Sequence, residues 1–393
     1  MGKKHEQPEN PLDTAKRLSK EFAQTAAERD FIGGTPKQER DAIRTSGLLS
    51  LIIPEAYGGK GANWFDTMLI IREIAKSDSS LAHVFGFQHL MLATVRLFSK
   101  RSQWERWYVQ TAQCNWFWGN ALNPLDERTV AKSFPGWYEF SGKKSFCSGA
   151  IDSEMLIVSA IDQKNGKLLV AAIPTGRTGI TVIQDWDNIG QRQTDSGSVN
   201  FEKVRVETNE VLLDPGPLST PYSCLRPLLA QLILTNIYLG IAEGAYADAK
   251  AYTLNEARPW HTSNVKTTRE DPYILEHYGN FWIDLEASKA LSNQAAIKLD
   301  EAWLKESKLT QEERGEVAIS ISSAKVIATR TGLHITNKMF EVAGSRATHA
   351  GLRLDRHWRN LRTHTLHDPI DYKIKELGEW ALNNQYPKPT FYS

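Results

Sequence analysis

The spacing of apolar residues changes twice along this 393-residue chain, and no other feature constrains its fold as strongly. From residue 12 to residue 110, apolar side chains recur at helical spacing. Between about 116 and 213 this period fades, and short apolar runs alternate with turn residues. Helical spacing returns after Pro227, first in a long and mostly apolar stretch over 228–255. This order predicts an α+β chain in which a β unit is inserted between two helical ones.

The middle segment predicts five or six short strands, with turn signals roughly 8–12 residues apart. No long helix alternates with these strands, so we expect a small antiparallel sheet or barrel. The strand candidates are residues 138–140, 155–158, 168–173, 180–186 and 199–206. Because the chain is too long for one ordinary core, we expect three units. These are an N-terminal helical domain over 1–115, a central β domain over 116–222 and a C-terminal four-helix-bundle domain over 223–393.

Charge and cysteine content exclude several classes of protein. Lys plus Arg is 47 and Asp plus Glu is 46, so no basic field predicts binding to nucleic acid or to an anionic membrane. The polar N-terminus has no apolar core, so we expect no signal peptide. The apolar stretch 228–242 is interrupted by Gln231, Thr235 and Asn236 and is too short to span a bilayer. The three cysteines form no Cys-x-x-Cys pair, which favours a reducing cytoplasm.

Motifs for common cofactors and nucleophiles are absent. The chain has no Gly-x-Gly-x-x-Gly after a strand, no phosphate-binding Walker loop and no Gly-x-Ser-x-Gly elbow. A histidine-rich stretch near the C-terminus could supply metal ligands, because His364 and His367 can share one helix face. A di-iron bundle, however, requires two Glu-x-x-His motifs and two further glutamates, and the chain contains no Glu-x-x-His. We therefore expect no metal site.

The dipeptide Asp368-Pro369 predicts a boundary between two helices. Proline disfavours helical geometry in the residue before it, so one helix is expected to end near His367. Proline also suits the first position of a helix, which makes Asp368 the predicted N-cap of the next one. His367 would then lie at a helix junction. There it can either project into a cleft or serve as a packing histidine.

Three motifs show a resemblance to the acyl-CoA dehydrogenase superfamily over roughly 15–385. Residues 51–61 (LIIPEAYGGKG), 142–149 (GKKSFCSG) and 257–260 (ARPW) are similar to its signatures. That resemblance implies the order of helical domain, β domain and helical bundle. The family's late glutamate base, however, corresponds to Asp368 followed by Pro369. A capping aspartate, one methylene shorter, is a poor base for an α-proton, which disfavours the dehydrogenase reaction.

Residues 363–369 (THTLHDP), 144–149 (KSFCSG) and 385–389 (QYPKP) resemble the dibenzothiophene monooxygenases, which share this fold. The resemblance implies a desulfurisation enzyme that takes reduced FMN from a separate NADH-dependent flavin reductase. With O2, and through a C4a-hydroperoxyflavin, it would oxidise an aromatic sulfide to sulfoxide and sulfone. A homotetramer is also implied. The alternatives are an acyl-CoA dehydrogenase with a displaced base, a catalytically silent relative, and a sister monooxygenase for another sulfur or aromatic compound.

The same resemblance implies the catalytic residues. His367 would donate a proton or a hydrogen bond to the flavin peroxide, and Ser148 would donate a hydrogen bond from the β domain. A solvated turn serine is the alternative for Ser148. His89 would line the substrate side, although a core histidine fits its position equally well.

The cofactor-binding residues are also implied by resemblance. Arg258 and Arg346 would hold the phosphate, with contact across a subunit boundary or ordinary surface ion pairing as alternatives. The other expected FMN contacts, including those to the flavin ring, are Asn120, Lys144, Phe146, Ser148, Trp186 and Thr363.

Overall fold

The computed structural model describes residues 9–393 and begins with six helices. Their bounds are α1 (Pro11–Ala23), α2 (Ala26–Ile32), α3 (Lys37–Thr45), α4 (Trp64–Ser77), α5 (Ser79–Phe98) and α6 (Arg101–Cys114). Side chains define the helix starts: Asn63 caps α4, and Asp78 accepts hydrogen bonds from the first amides of α5. Nearly every residue of α5 is buried, so this helix forms the centre of the N-terminal unit.

The central segment forms one seven-stranded sheet. Its strands are β1 (Trp118–Ala121), β2 (Val130–Phe134), β3 (Trp137–Lys144), β4 (Met155–Asp162), β5 (Leu168–Pro174), β6 (Ile180–Ile183) and β7 (Ser198–Glu207). The path runs β1-β4-β2-β3-β7-β6, and β5 pairs with β4. A wholly antiparallel sheet was the wrong prediction, because β4 is parallel to both β1 and β2. The β2–β3 hairpin lies between β1 and β4 in sequence and supplies the long connection that a parallel pair requires.

Five helices complete the chain. They are α7 (Leu225–Asn255), α8 (Pro272–Lys305), α9 (Gln311–Ala343), α10 (Asp355–Thr365) and α11 (Ile370–Asn383). Helix α7 packs between the N-terminal helices and the rest of the bundle, and small residues permit this close approach. A Cβ atom at Gly244 would lie 2.1 Å from the carbonyl oxygen of Lys76, so only glycine fits there.

The predicted order of helices, strands and helices is confirmed, and the changes occur between Cys114 and Trp118 and before Leu225. Helices α5 and α7 are long and apolar enough to cross a membrane, but 94% of each apolar window is buried within the protein, as in core helices.

Candidate functional site

A cavity of about 760 Å³ lies where the sheet meets α5, α7, α10 and the C-terminal segment. Its size is that of a site for a cofactor or small molecule. It brings together six of the residues predicted from the sequence: Asn120, Phe146, Ser148, Trp186, Thr363 and His367. The remaining predicted residues, His89, Lys144, Arg258 and Arg346, do not line it.

A chain of hydrogen bonds runs along the β-domain wall of the cavity. The Ser148 hydroxyl lies 2.9 Å from His83 Nε2 and 2.7 Å from Ser196 Oγ. Ser196 Oγ in turn lies 2.7 Å from Thr194 Oγ1, which donates to the carbonyl oxygen of Gln191. Because a carbonyl oxygen can only accept, this last bond orients the whole chain. Ser196 therefore donates to Thr194, Ser148 donates to Ser196, and His83 donates to Ser148 through Nε2–H.

His83 is a cavity histidine that the sequence analysis missed. Burial lowers its pKa to about 3, so the ring is neutral at physiological pH. In the part of the chain that the structure describes, residues 9–393, its Nδ1 atom has no hydrogen-bond partner. The predicted residue was His89, six positions later on α5. Six residues turn a helix by about 600°, which places the two rings on different faces. The spacing of His83, Phe87 and Leu90, all of which line the cavity, was the available sequence signal.

His89 is a core residue. It is fully buried, and its ring meets Phe85 edge-to-face at 4.7 Å between centroids. Among the described residues 9–393, neither ring nitrogen has a hydrogen-bond partner. The structure therefore does not bring His89 to the cavity.

His367 lies on the opposite wall, in the short connection between α10 and α11. Its Nδ1 atom is 2.9 Å from Oδ1 of Asp368, and that carboxylate also accepts from the ammonium of Lys325 at 2.5 Å. The predicted N-cap role of Asp368 is wrong, because Pro369 occupies the cap position and makes no side-chain cap bond. The carboxylate instead turns inward and pairs with the buried ammonium of Lys325 on α9.

The charges of this group are held by its surroundings. Burial lowers the pKa of Lys325 to about 8 against the attraction of Asp368. Burial also acts to raise the pKa of Asp368, but the hydrogen bond from His367 and the charge of Lys325 hold it well below its usual range. Lys325 and Asp368 are therefore both ionised at neutral pH.

Phe146 and Trp186 form the aromatic mouth of the cavity. Phe146 has a φ of 60° and is 60% exposed, and its ring meets Trp186 edge-on at 6.0 Å between centroids. The Trp186 indole donates to the carbonyl oxygen of Gln191 at 2.8 Å, which fixes the ring beside the hydroxyl chain. An exposed aromatic residue in a strained conformation is typical of a ligand contact. This pair, with the polar wall at Ser148, fits a flat heteroaromatic ring such as a flavin.

Asn120 and Thr363, two polar residues that also line the cavity, are held by contacts with the backbone. The backbone N–H of Asn120 donates to the backbone carbonyl oxygen of Ser148 at 3.0 Å, which joins the end of β1 to the segment that carries Ser148. The Thr363 hydroxyl donates to the carbonyl oxygen of Arg359 within α10.

Lys144 contributes to the site only indirectly. Its side chain is fully buried behind the cavity wall and donates to the backbone carbonyl oxygens of Asn123 and Asp126. Burial lowers its pKa to about 8. The ammonium therefore supports the loop at 122–129, and Asn123 in that loop lines the cavity.

Arg258 and Arg346 are exposed at another part of the bundle. The Thr253 hydroxyl donates to the carbonyl oxygen of Val342 at 3.0 Å, so the ends of α7 and α9 that precede these arginines lie together. Within residues 9–393 neither arginine has an ion-pair partner. Their predicted phosphate contact stays a prediction, because neither arginine lines the cavity of this single chain.

Two further cavity residues were not predicted from the sequence. His364 is buried with its ring centroid 4.8 Å from that of His83, and its carbonyl oxygen accepts from Tyr238. Arg226, in the first turn of α7, contributes a buried positive charge. Among residues 9–393, no group of three or more His, Cys, Asp or Glu side chains is arranged to hold a metal ion.

Comparison with known proteins identifies two domain families. Residues 6–115 match the family described as acyl-CoA dehydrogenase, N-terminal domain, and residues 232–372 match acyl-CoA dehydrogenase, C-terminal domain. Among curated proteins, the chain is 65% identical over 387 residues to a probable FMNH2-dependent monooxygenase, SfnC, from Pseudomonas putida, covering 98% of both chains. It is 42% identical over 399 residues to a dibenzothiophene monooxygenase from Rhodococcus erythropolis, covering 98% of this chain and 96% of that one.

Solved structures agree with these matches. The methanesulfinate monooxygenase MsuC from Pseudomonas fluorescens superposes with a TM-score of 0.97 at 66% identity, covering 98% of this chain and 100% of that one. FMN-bound TdsC from Paenibacillus sp. A11-2 superposes with a TM-score of 0.93 at 42% identity, with the same coverage.

Proposed function

Because the chain belongs to the FMNH2-dependent monooxygenases that share the acyl-CoA dehydrogenase fold, we propose that it oxygenates an organosulfur compound in the cavity between Ser148 and His367. The predicted fold, monooxygenase class and FMN cofactor are confirmed, whereas the substrate and the residue roles are our proposal. The observation that carries it is the cavity itself, which has an aromatic mouth, a hydrogen-bonding wall and an anchored histidine facing one space.

Reduced FMN, when bound, supplies the electrons that activate O2, and the protein must exclude water and place protons. Phe146 and Trp186 would hold the flavin ring at the mouth. The neutral imidazole of His83 donates to Ser148, whose own proton is directed to Ser196. Ser148 therefore offers a lone pair to the cavity, and donates to a ligand only after the hydroxyl chain rotates.

His367 is the better placed proton donor. Its Nδ1–H is committed to the carboxylate of Asp368, so Nε2 is the atom left to interact with ligands. That atom accepts a hydrogen bond when the ring is neutral and donates one when the ring is charged. The Lys325–Asp368 ion pair fixes the orientation of the ring throughout.

The same ion pair argues against the dehydrogenase alternative. The residue at the position of the family's catalytic base is Asp368, and its Oδ1 atom is already shared by Lys325 and His367. A carboxylate engaged in this way, with its pKa held low, is a weak and immobilised base for an α-proton.

The relatives name two sulfur substrates, dibenzothiophene and methanesulfinate. Apolar side chains at Phe87, Leu90 and Leu122 support the aromatic sulfide that the sequence analysis predicted, with dibenzothiophene oxidised to its sulfoxide and sulfone. The buried Arg226 supports a sulfinate. We infer that reduced FMN comes from a separate NADH-dependent flavin reductase and that the enzyme is a homotetramer.

The direct test supplies the purified protein with FMN, NADH, a flavin reductase and air, and offers dibenzothiophene and methanesulfinate separately. We expect an oxygenated sulfur product with one O2 consumed per turnover. Turnover only with an acyl-CoA and an electron acceptor would establish the dehydrogenase instead. A preparation that neither binds flavin nor consumes O2 would identify a catalytically silent relative.

A further inference from the structure

Arg226 is a buried cation without a counter-ion. The residue is 6% exposed and lines the cavity, and within residues 9–393 the only hydrogen bond of its guanidinium runs from Nε to the Thr94 hydroxyl at 3.3 Å. No carboxylate in residues 9–393 forms an ion pair with it. Within residues 9–393 its two terminal nitrogens have no hydrogen-bond or ion-pair partner, and they are not sealed from the cavity. They are therefore free to bind a ligand there.

Three other buried arginines of this protein are compensated. Arg40 pairs with Asp152 at 2.9 Å, and Arg29 pairs with Asp78 at 2.6 Å. Arg72 is as deeply buried as Arg226, but its guanidinium donates to the side chains of Asn236 and Asn293. Taking an uncompensated charge out of water is costly, so a site that retains one is built to receive an opposite charge.

The charge of Arg226 persists under physiological conditions. Burial lowers its pKa to about 10, which still leaves the guanidinium protonated at neutral pH. Tyr392 acts against the effect of burial and raises the pKa of Arg226, and its own phenol is neutral at that pH.

The position of Arg226 assigns it to the substrate. His83, Phe87 and Leu90 follow one face of α5 from the hydroxyl chain toward Thr94, the partner of Arg226. Seven helical residues, from His83 to Leu90, span about 10 Å. Phe146 at the aromatic mouth is 60% exposed whereas Arg226 is 6% exposed, so the guanidinium lies deeper in the cavity than the mouth. A flavin held at the mouth leaves this end for the second reactant.

We propose that Arg226 is the specificity-determining residue of the site and selects an organosulfinate anion over a neutral aromatic sulfide. This inference rests on the proposed sulfur oxygenation. A guanidinium presents two parallel N–H donors, and a sulfinate presents two oxygens with the same geometry. With both oxygens bound, the sulfur lone pair remains free to react. Dibenzothiophene carries no charge and would leave Arg226 buried and unpaired.

The reaction balances with the co-substrates of the proposed function. The sulfinate RSO2⁻, O2 and FMNH2 give the sulfonate RSO3⁻, water and FMN. The sulfur lone pair forms a new S–O bond to one oxygen atom as the O–O bond breaks. The other oxygen leaves as water with the two hydrogens of the reduced flavin. Sulfur and flavin each lose two electrons, and O2 gains four.

The test compares wild type with Arg226→Met, which removes the charge at similar length, and with Arg226→Lys, which keeps the charge but loses the paired donors. Arg205→Met is the matched control, because Arg205 is an exposed arginine on β7 paired with Glu207. Steady-state kinetics with methanesulfinate and benzenesulfinate, together with FMN binding by fluorescence, are measured for each. We expect Arg226→Met to raise KM for both sulfinates by about 30- to 100-fold, the cost of losing charge-assisted hydrogen bonds. The KM of Arg226→Lys for both sulfinates should fall between those of wild type and Arg226→Met. The KM of Arg205→Met should match that of wild type.

A readout without turnover separates the two proposals. Methanesulfinate should raise the melting temperature of flavin-free wild type and of Arg205→Met, but not of Arg226→Met. If no sulfur compound is oxygenated and this shift is still lost in Arg226→Met, the proposed function fails and the anion site stands. If wild type oxygenates dibenzothiophene and Arg226→Met leaves sulfinate KM unchanged, the function stands and this inference is overturned. Weakened FMN binding in Arg226→Met would overturn it too, by assigning the arginine to the cofactor phosphate.

Discussion

Oδ1 of Asp368 accepts from both Nδ1 of His367, at 2.9 Å, and the buried ammonium of Lys325, at 2.5 Å. One carboxylate thus links a partly exposed cavity histidine to the core of the bundle. Lys325 also donates to the side-chain oxygen of Gln231, which lines the cavity as well. The ion pair therefore acts as a positioning device for the imidazole, in the way that a buried carboxylate orients a catalytic histidine elsewhere.

Replacing Asp368 by asparagine tests this positioning role. Asp368→Asn keeps the shape but leaves Lys325 without a counter-charge, and breaking a buried pair costs about 3–5 kcal/mol of unfolding free energy. We expect a less stable protein whose oxygenation rate falls by about 10- to 100-fold, with reduced flavin consumed and hydrogen peroxide released. Product and peroxide yields per NADH measure the effect.

A double variant separates positioning from stability. Lys325→Met with Asp368→Asn removes both charges and should recover most of the unfolding free energy. If oxygenation recovers together with stability, Asp368 has only a structural role. Continued peroxide release in a stable protein supports the positioning role.

His367→Ala should retain FMN binding and lose oxygenation. The imidazole is half-exposed in the cavity, so its removal leaves no large buried void. Loss of a positioned proton donor typically lowers a rate by 10²- to 10⁴-fold, about the effect expected here. FMN affinity, sulfur product and hydrogen peroxide are measured together. An unchanged product yield would remove His367 from the mechanism.

Ser148→Ala should destabilise the protein through His83. The Nε2–H of His83 loses its acceptor in a fully buried position, which costs about 1–3 kcal/mol of unfolding free energy. The double variant Ser148→Ala with His83→Phe removes both partners and should recover this loss without recovering activity. Urea unfolding of both variants provides the measurement. Equal stability of wild type and Ser148→Ala would contradict a stabilising hydrogen bond between His83 and Ser148.

The sequence predicted the helices and strands better than it predicted how the strands pair and which helix face lines the cavity. Apolar spacing predicted the helical region before residue 110 and the long helix that is α7, because long amphipathic or buried helices repeat their pattern many times. The sheet was found, but its parallel pairs were not, since local alternation carries no information on which distant strand becomes a neighbour. The resemblance predicted His367 and Ser148, and both line the cavity. It also predicted His89, whereas His83, on a different face of the same helix, lines the cavity.

Two features required tertiary structure. The neighbouring residues predicted that the Asp368 carboxylate caps a helix. Its actual partner, Lys325, lies 43 residues away in sequence. Arg226 is one of many arginines in the chain, and its burial at the cavity without an ion-pair partner in residues 9–393 distinguishes it. Local sequence therefore indicates neither the Lys325–Asp368 ion pair nor the missing counter-ion of Arg226.

Acid sensitivity should arise partly from His89. Burial lowers its pKa to about 3, from the ordinary histidine value of 6.5 that applies when the chain unfolds. Between these values the unfolded state binds a proton that the folded state does not. Stability is therefore complete above about pH 6.5 and falls as the pH is lowered toward 3. One such group contributes a slope of up to about 1.4 kcal/mol per pH unit.

His89→Leu should remove this contribution and keep activity, because the ring lies outside the cavity and neither nitrogen makes a hydrogen bond. We expect the variant to be at least as stable as wild type at pH 5 and its unfolding free energy to depend less steeply on pH. A residual slope is expected, since the buried ring of His83 is also neutral with a pKa of about 3. Chemical unfolding at several pH values between 5 and 8 measures both. Identical slopes for the two proteins would mean that His89 accepts a proton in the folded state, and the core around Phe85 would then have to admit water to solvate the charge.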